Sequence, residues 1–298
     1  MNSFKLFVFG SMILIFSGCS SSKNITQTMQ DGQTAYAEGN YQKAFSDWEV
    51  VIEDYKNQGK ANECPVYTEA AAAAMHLGQL EKAIQYLEAE SNTANVEAIT
   101  YYELAGLYRK IDNLSKELDE LDTYVAKYPE GENIEQVQTR LFEIYLETDR
   151  WEDAIAKWND LSPESQSGLQ IIEGYFLANK KLKNDDVCDK FALLLLELDN
   201  ENVMALDWFA KQLFWKAEKR YQDEMKAYNT NKTNKQYNRL LKALDVVSKD
   251  FKTSLGYFKT LYAIDPNPQY AKYLGDIYNR LDDKKKANYY YEKAKGSN

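Results

Sequence analysis

Small residues recur along this chain at a regular spacing of about 34 residues, and each precedes apolar residues with helical periodicity. The series is Ala44, Ala83, Glu117, Ala154, Cys188, Ser254 and Ala287, of which Glu117 departs from the small class. One interval, from Cys188 to Ser254, is about twice as long as the others. Such a spacing indicates stacked two-helix units, each of which buries its apolar face against its neighbours.

Two further features recur in register with the small residues. A turn between the two helices of a unit begins with Gly or Asp, which accept the left-handed or locally hydrogen-bonded backbone of a tight turn. These turns are Gly39-Asn40-Tyr41, Gly78-Gln79-Leu80, Asp112-Asn113-Leu114, Asp149-Arg150-Trp151 and Asp282-Asp283-Lys284, with a stretched turn from Lys180 to Asp185 in the fifth unit. Large residues that can fill the gap between units follow four places after the small one, at Trp48, Leu87, Leu121, Trp158, Phe258 and Tyr291.

A helix–turn–helix unit of about 34 residues with these small, large and turn positions resembles the tetratricopeptide repeat. Pro129 and Pro266 stand where such helices are expected to end. The resemblance covers residues 25–298 and implies an all-α, right-handed superhelical solenoid of about seven repeats. It implies little about function, because these repeats serve many unrelated partners.

The double-length interval predicts one long hairpin, at about residues 203–264. No Gly or Pro occurs between Val203 and Leu255, and apolar residues continue at steps of three and four on both sides of the polar stretch 229–234. Each helix should be about 16 residues longer than its counterparts, or roughly 24 Å. We expect this sixth repeat to project as an arm.

The N-terminus predicts a lipid anchor. Lys5 precedes an apolar stretch from Leu6 to Phe16, too short to span a bilayer as a helix, and two small residues and Cys19 follow. The sequence Phe16-Ser17-Gly18-Cys19 resembles a bacterial lipobox, although Phe16 departs from the usual aliphatic residue. The resemblance implies a signal peptide at 1–18, lipidation of Cys19, a tether at 19–24 and membrane attachment through the acyl anchor. Ser20 resembles the outer-membrane sorting pattern of Gram-negative bacteria, with the body expected to face the periplasm.

The composition offers few residues suited to catalysis, metal binding or nucleic-acid binding. His76 is the single histidine, which argues against most metal sites and every His-based triad. A net charge of −10 disfavours nucleic-acid binding, which needs clustered Lys and Arg. Cys64 and Cys188 lie in non-adjacent repeats, so we expect two buried thiols rather than a disulfide. No phosphate or dinucleotide motif occurs; we therefore expect no enzyme activity, no cofactor and no metal.

The repeat resemblance also places a set of first-helix residues on the concave groove. That set is Tyr36, His76, Tyr102, Arg109, Lys110, Tyr175, Phe214, Trp215, Asn279 and Arg280. Aromatic residues and Arg are the types that anchor partners, but each residue of the set could equally serve packing. The Lys/Asn pattern with which some of these domains clamp a C-terminal carboxylate is missing, because Lys272 is present but Asp276 replaces the asparagine.

These features favour a non-catalytic scaffold that binds proteins of the bacterial cell envelope. It is similar in kind to tetratricopeptide lipoproteins of β-barrel assembly, peptidoglycan-enzyme regulation or protease adaptation, and the sequence does not select among them. An alternative is an outer-membrane lipoprotein that binds a glycan or nutrient. The similar sugar-capture lipoproteins carry an additional ligand-binding lobe, for which the repeats leave no room here.

Overall fold

In a computed structural model of the chain, residues 24–94 and 96–295 are described, and they contain fifteen α-helices, one short 3-10 helix and no β-strand. The prediction of an all-α chain is confirmed. The chain divides into two compact units between Asn133 and Ile134. The predicted signal peptide, Cys19 and residues 20–23 of the tether lie outside the described residues.

Helices of the first unit pack as three consecutive pairs. They are α1 (Ile25–Ala37), α2 (Tyr41–Asn57), α3 (Tyr67–His76), α4 (Leu80–Glu90), α5 (Ala98–Lys110) and α6 (Leu114–Lys127), with the 3-10 helix Ala61–Glu63 between the first two pairs. Helix α2 also packs on α3, and α4 on α5, so that the pairs stack in chain order. A core of alanines and large aromatic residues, including Trp48 and Tyr67, fills the space between them.

The second unit contains four helix pairs and one short extra helix. Its helices are α7 (Ile134–Glu147), α8 (Trp151–Trp158), α9 (Pro163–Gln166), α10 (Leu169–Lys181), α11 (Asp185–Leu198), α12 (Val203–Thr230), α13 (Asn234–Ile264), α14 (Pro268–Arg280) and α15 (Lys284–Ala294). The pairs are α7 with α8, α10 with α11, α12 with α13 and α14 with α15. None of the helices in the described ranges has the length and apolar content that a membrane crossing would need.

The tight turns within these pairs share one backbone geometry. One residue in each has a positive φ, between 54° and 77°: Gly39, Gly78, Asp112, Asp149, Lys183 and Asp282. The N–H of the following residue donates to the carbonyl five positions earlier at 2.8–2.9 Å in all six turns. This bond ends a helix in a Schellman motif. The left-handed backbone predicted for Gly and Asp is confirmed in five of these turns. In the turn between α10 and α11, Lys183 adopts it.

All seven residues of the small-residue series are buried, with at most 1% of their surface exposed. The small-residue position therefore lies where the two helices of each pair approach each other closely. Glu117, the departure from the series, places its carboxylate 2.7 Å from Nε of Arg109. A carboxylate is tolerated at a buried position when it has such a partner.

The long interval holds α12 and α13, of 28 and 31 residues, which pack against each other. Ser254, the small residue of this pair, donates its hydroxyl to the carbonyl of Ala210 at 2.8 Å. Phe214 and Phe251 meet across the same seam at 5.7 Å between ring centroids. That the pair projects as an arm stays a prediction.

Candidate functional site

A groove of about 500 Å³ lies between α12 and α14 in the second unit. It is lined by Phe214, Trp215, Glu218 and Gln222 of α12 and by Gln269, Lys272, Tyr273, Asp276, Asn279 and Arg280 of α14. Four of the residues predicted for a concave groove come together here, namely Phe214, Trp215, Asn279 and Arg280. The other six lie elsewhere.

The floor of this groove is aromatic and held in place by packing. Phe214 is buried and meets Tyr273 edge-on at 4.9 Å between ring centroids. Tyr273 stacks in turn on Phe258 at 4.5 Å. Trp215 is perpendicular to Phe214, yet 57% of it is exposed. Because its neighbours are fixed, Trp215 offers a ligand an aromatic surface at little loss of conformational freedom.

One wall of the groove is an internal ion pair. Two nitrogens of the Arg280 guanidinium contact the buried carboxylate of Glu218, with Nε at 2.8 Å from Oε2. This hydrogen-bonded contact with Glu218 raises the pKa of Arg280. The guanidinium also lies 4.3 Å from the ring centroid of Tyr221, and Gln222 donates to Glu218 at 2.7 Å. The Arg280 guanidinium therefore fixes α14 against α12 and contributes little free charge to a ligand.

Lys272 and Asp276 supply the remaining charges. Lys272 is exposed and has no ion-pair partner among the residues that the structure describes. Asp276 accepts a hydrogen bond from the Tyr291 hydroxyl at 3.0 Å, and burial together with this bond raises the pKa of Tyr291 to about 12. Asn279 is occupied by Lys284, whose ammonium donates to its side-chain oxygen at 2.7 Å. Lys272 is therefore the groove cation whose charge is not neutralised by an ion pair within the described residues.

Trp215 also borders a second, smaller recess of about 240 Å³. Its lining is Lys180, Asp207, Trp208, Lys211, Gln212 and Trp215. Asp207 lies between the two lysines, with ammonium nitrogens at 2.6 Å for Lys211 and 3.6 Å for Lys180. Because Trp215 belongs to both depressions, an extended chain could cross its ring from one to the other.

Tyr175, the remaining predicted residue of the second unit, lines neither depression. Its ring stacks on Trp158 at 4.1 Å and lies 4.7 Å from Phe191. The three rings pack α8, α10 and α11 together, so that the geometry accounts for Tyr175 by packing.

In the first unit, Tyr36 and His76 belong to one aromatic cluster. His76 stacks on Tyr41 at 3.9 Å with nearly parallel rings, and Tyr36 meets both rings edge-on at 5.3–5.7 Å. His76 is exposed on its other side. Its stacking joins the end of α3 to the start of α2, which is a sufficient structural reason for a histidine here.

The other three predicted residues of this unit lie on α5. Tyr102 is half-buried, Arg109 is held by Glu117, and Lys110 is exposed at the helix end. These three residues, like Tyr36 and His76, do not line the groove or either of the recesses described in this section. Whether any of the ten residues contacts a partner stays a prediction.

A recess of about 320 Å³ that the sequence did not indicate also lies in this unit, lined by Glu69, Glu90 and Glu97 together with Cys64. Burial, and then the nearby carboxylates, raises the pKa of Glu69 and Glu90. No group of three or more His, Cys, Asp or Glu side chains in the described part of the chain is arranged to hold a metal ion. Burial also raises the pKa of the free thiols Cys64 and Cys188, the latter to about 11, so both are poor nucleophiles.

The fold is shared with solved tetratricopeptide-repeat proteins. The C-terminal part of a TPR repeat-containing protein from Cytophaga hutchinsonii is 13% identical, covers 89% of this chain and 93% of its own, and superimposes with a TM-score of 0.50. A protein from Bacteroides ovatus gives 14% identity, 73% and 97% coverage and a TM-score of 0.50. A tetratricopeptide repeat protein from Parabacteroides merdae is 12% identical, covers 92% of this chain and 94% of its own, and superimposes with a TM-score of 0.45. No family model and no curated protein matches the sequence. The consecutive helix pairs and the superposition on the Cytophaga hutchinsonii protein together show the tetratricopeptide-repeat fold.

Proposed function

We propose that this protein is a non-catalytic scaffold that binds a segment of another protein in the groove between α12 and α14. The observation that carries the proposal is Trp215, a large aromatic side chain that is 57% exposed on a packed aromatic floor. Large apolar residues exposed in a depression are typical of contact sites, and Trp is the residue type most enriched among binding hot spots. Catalytic chemistry has no support from the groove, whose Arg280 and Glu218 neutralise each other.

The chemistry of the groove favours an extended peptide with an apolar side chain and a nearby negative charge. The apolar side chain would pack on Trp215, and a carboxylate would pair with Lys272, which has no ion-pair partner in the described ranges. Asp276 would repel a terminal carboxylate at the position where some of these domains have an asparagine. The negative charge is therefore expected on a side chain rather than at the end of the partner.

We further propose that the protein is held at the outer membrane of a Gram-negative cell by lipidated Cys19, with its body in the periplasm and its partners among envelope proteins. The support is the sequence alone: the short apolar stretch from Leu6 to Phe16, the small pair Ser17-Gly18, and the cysteine that follows. One acyl anchor on an acidic body would hold by burial of the acyl chains.

Affinity purification from gently solubilised membranes tests the groove. The variant Trp215→Ser/Lys272→Gln should lose a specific protein that the unaltered chain retains. The matched control is Leu193→Ser/Lys190→Gln on α11, because Leu193 is also 57% exposed and Lys190 is also a surface lysine. If the groove variant and the control retain the same proteins, the groove is not the binding site.

The anchor is tested separately by Cys19→Ser. In a Gram-negative host that is fed labelled palmitate, we expect the unaltered chain to carry label in the membrane fraction. The variant should carry none and should leave the outer membrane. Equal labelling of both chains would contradict lipidation at Cys19.

A further inference from the structure

The far end of the long helix pair carries a net positive charge, in contrast to the acidic remainder of the chain. Residues 225–244, here called the tip segment, span the end of α12, the connection and the start of α13. They contain five basic residues and no acidic one: Lys226, Lys232, Lys235, Arg239 and Lys242. All other positions together hold 31 basic and 46 acidic residues, a net charge of −15.

Most of the tip charge is not neutralised within the described chain. The four lysines are exposed and none has an ion-pair partner among the described residues. Arg239 is the exception, since it contacts the half-buried Glu224 of α12 at 2.9 Å. The lysines therefore remain available to an anionic surface.

The tip segment also exposes apolar side chains next to these lysines. Tyr237 is 46% exposed and Leu241 is 44% exposed. They lie four residues apart on α13 and so share one face of that helix. Tyr237 contacts Tyr228 of α12 at 5.7 Å between ring centroids, which fixes its ring at the edge of the helix pair.

The acidic residues nearest to the tip segment are Asp223 and Glu224 before it and Asp245 after it. Asp223 pairs with Lys219 at 2.9 Å, and Glu224 pairs with Arg239. Asp245 is the one of these three that has no ion-pair partner among the described residues. The four tip lysines therefore leave this end of the helix pair with a net positive charge.

We propose that the tip segment docks on an anionic lipid surface. Its lysines would lie among the headgroups, and Tyr237 and Leu241 would enter the interface, where a Tyr ring and an apolar side chain are favoured. Lysine is a compact point charge suited to diffuse attraction, whereas recognition of protein carboxylates favours the planar fork of Arg. The one Arg of the segment is held by Glu224, which favours lipid over an acidic protein. The inference does not depend on the groove or on Cys19.

Vesicle binding tests this inference. The full chain is used throughout, so that any contribution of residues 1–23 is common to every variant. Sedimentation with vesicles of phosphatidylcholine, or of phosphatidylcholine with about one-third phosphatidylglycerol, gives the preference for anionic lipid. We expect a strong preference at low salt that high salt abolishes, and Lys232→Gln/Lys235→Gln/Lys242→Gln should reduce it about a hundredfold.

Two further variants distinguish the tip from net charge. Lys284→Gln/Lys285→Gln/Lys286→Gln removes the same charge from α15, beside Asp282 and Asp283, and should keep the preference. Tyr237→Ser/Leu241→Ser should keep the salt-sensitive attraction and weaken the binding at low salt, with circular dichroism confirming that the helices remain. An equal loss in the α15 control would overturn the proposal. So would binding to polyglutamate without binding to anionic vesicles, which would assign the tip to an acidic protein.

Discussion

Gly275 lies where α14 crosses α15, directly under the ring of Tyr291. A Cβ atom at this position would lie 2.6 Å from two ring carbons. The same relation occurs in the first pair, where a Cβ at Gly32 would lie 2.7 Å from Nε1 of Trp48. Glycine is thus required on the first helix where a large residue of the second helix packs against it.

We predict that Gly275→Ala destabilises the fold by about 1–2 kcal/mol, because the ring of Tyr291 must move from a packed position. Gly256→Ala is the matched control, since it is also in a helix but a Cβ there meets nothing within 4 Å. That control should gain up to about 1 kcal/mol from helix propensity. Urea unfolding measures both, and equal stability of the two variants would mean that the contact with Tyr291 is unimportant.

Glu69 lowers the free energy of unfolding as pH rises, which is opposite to the usual effect of a carboxyl group. Burial raises the pKa of Glu69, so this carboxyl stabilises the fold fully only below the ordinary glutamate pKa, and the contribution is lost as pH rises through the raised value. Glu69→Gln should therefore raise the thermal midpoint at pH 7 and have little effect at pH 4. The exposed Glu53→Gln is the control. An effect of Glu69→Gln that is the same at both pH values would contradict the burial argument.

Periodicity in the sequence located the buried small residues and most left-handed turn positions, because the same backbone geometry repeats in each pair. It could not locate Gly275 or explain Glu117. The requirement for glycine at position 275 depends on a contact between two helices. The burial of Glu117 depends on its ion pair with Arg109 of the preceding helix. Lys183 was also unpredictable, since its left-handed backbone goes against residue preference.

The long pair α12 and α13 is unevenly packed along its length. Phe214, Ala217, Phe251 and Phe258 are buried in the half that packs within the unit. No residue from 219 to 239 is buried. Stability of a helical segment comes mainly from the apolar surface that it buries, so the outer half should open more readily than the inner half.

Hydrogen exchange followed by mass spectrometry should therefore show faster exchange at 219–239 than at 203–218 or 251–264. Both helices are continuous through their outer halves in the structure, so the difference would report local opening rather than a missing helix. Uniform protection along both helices would contradict this expectation.

Repeat positions can predict which residues of a helix face a groove, but not which contacts those residues make. Repeat positions named Phe214, Trp215, Asn279 and Arg280 for a groove, and these four residues line one depression. The repeat positions could not show that Arg280 is held by Glu218 of the neighbouring helix. Nor could they show that Trp215 borders a second recess.

At the scale of the whole molecule, we propose two contact surfaces of different chemistry on the second unit. The groove offers Trp215 and Lys272 to a peptide, and the tip segment offers four lysines to lipid. A solenoid suits such a division, since its units present separate surfaces on one scaffold. The proposed anchor at Cys19 would bring both surfaces to the same membrane.

Photo-crosslinking in living cells tests the scaffold proposal most directly. A photoreactive phenylalanine analogue is placed at Gln222 or Gln269 in the groove, and at Leu193 on α11 as the control. We expect that both groove positions give the same protein adduct, that Leu193 does not, and that Lys272→Gln weakens the adduct. Absence of any protein adduct from the groove, or the same adducts from Leu193, would contradict the proposal that this groove binds the partner.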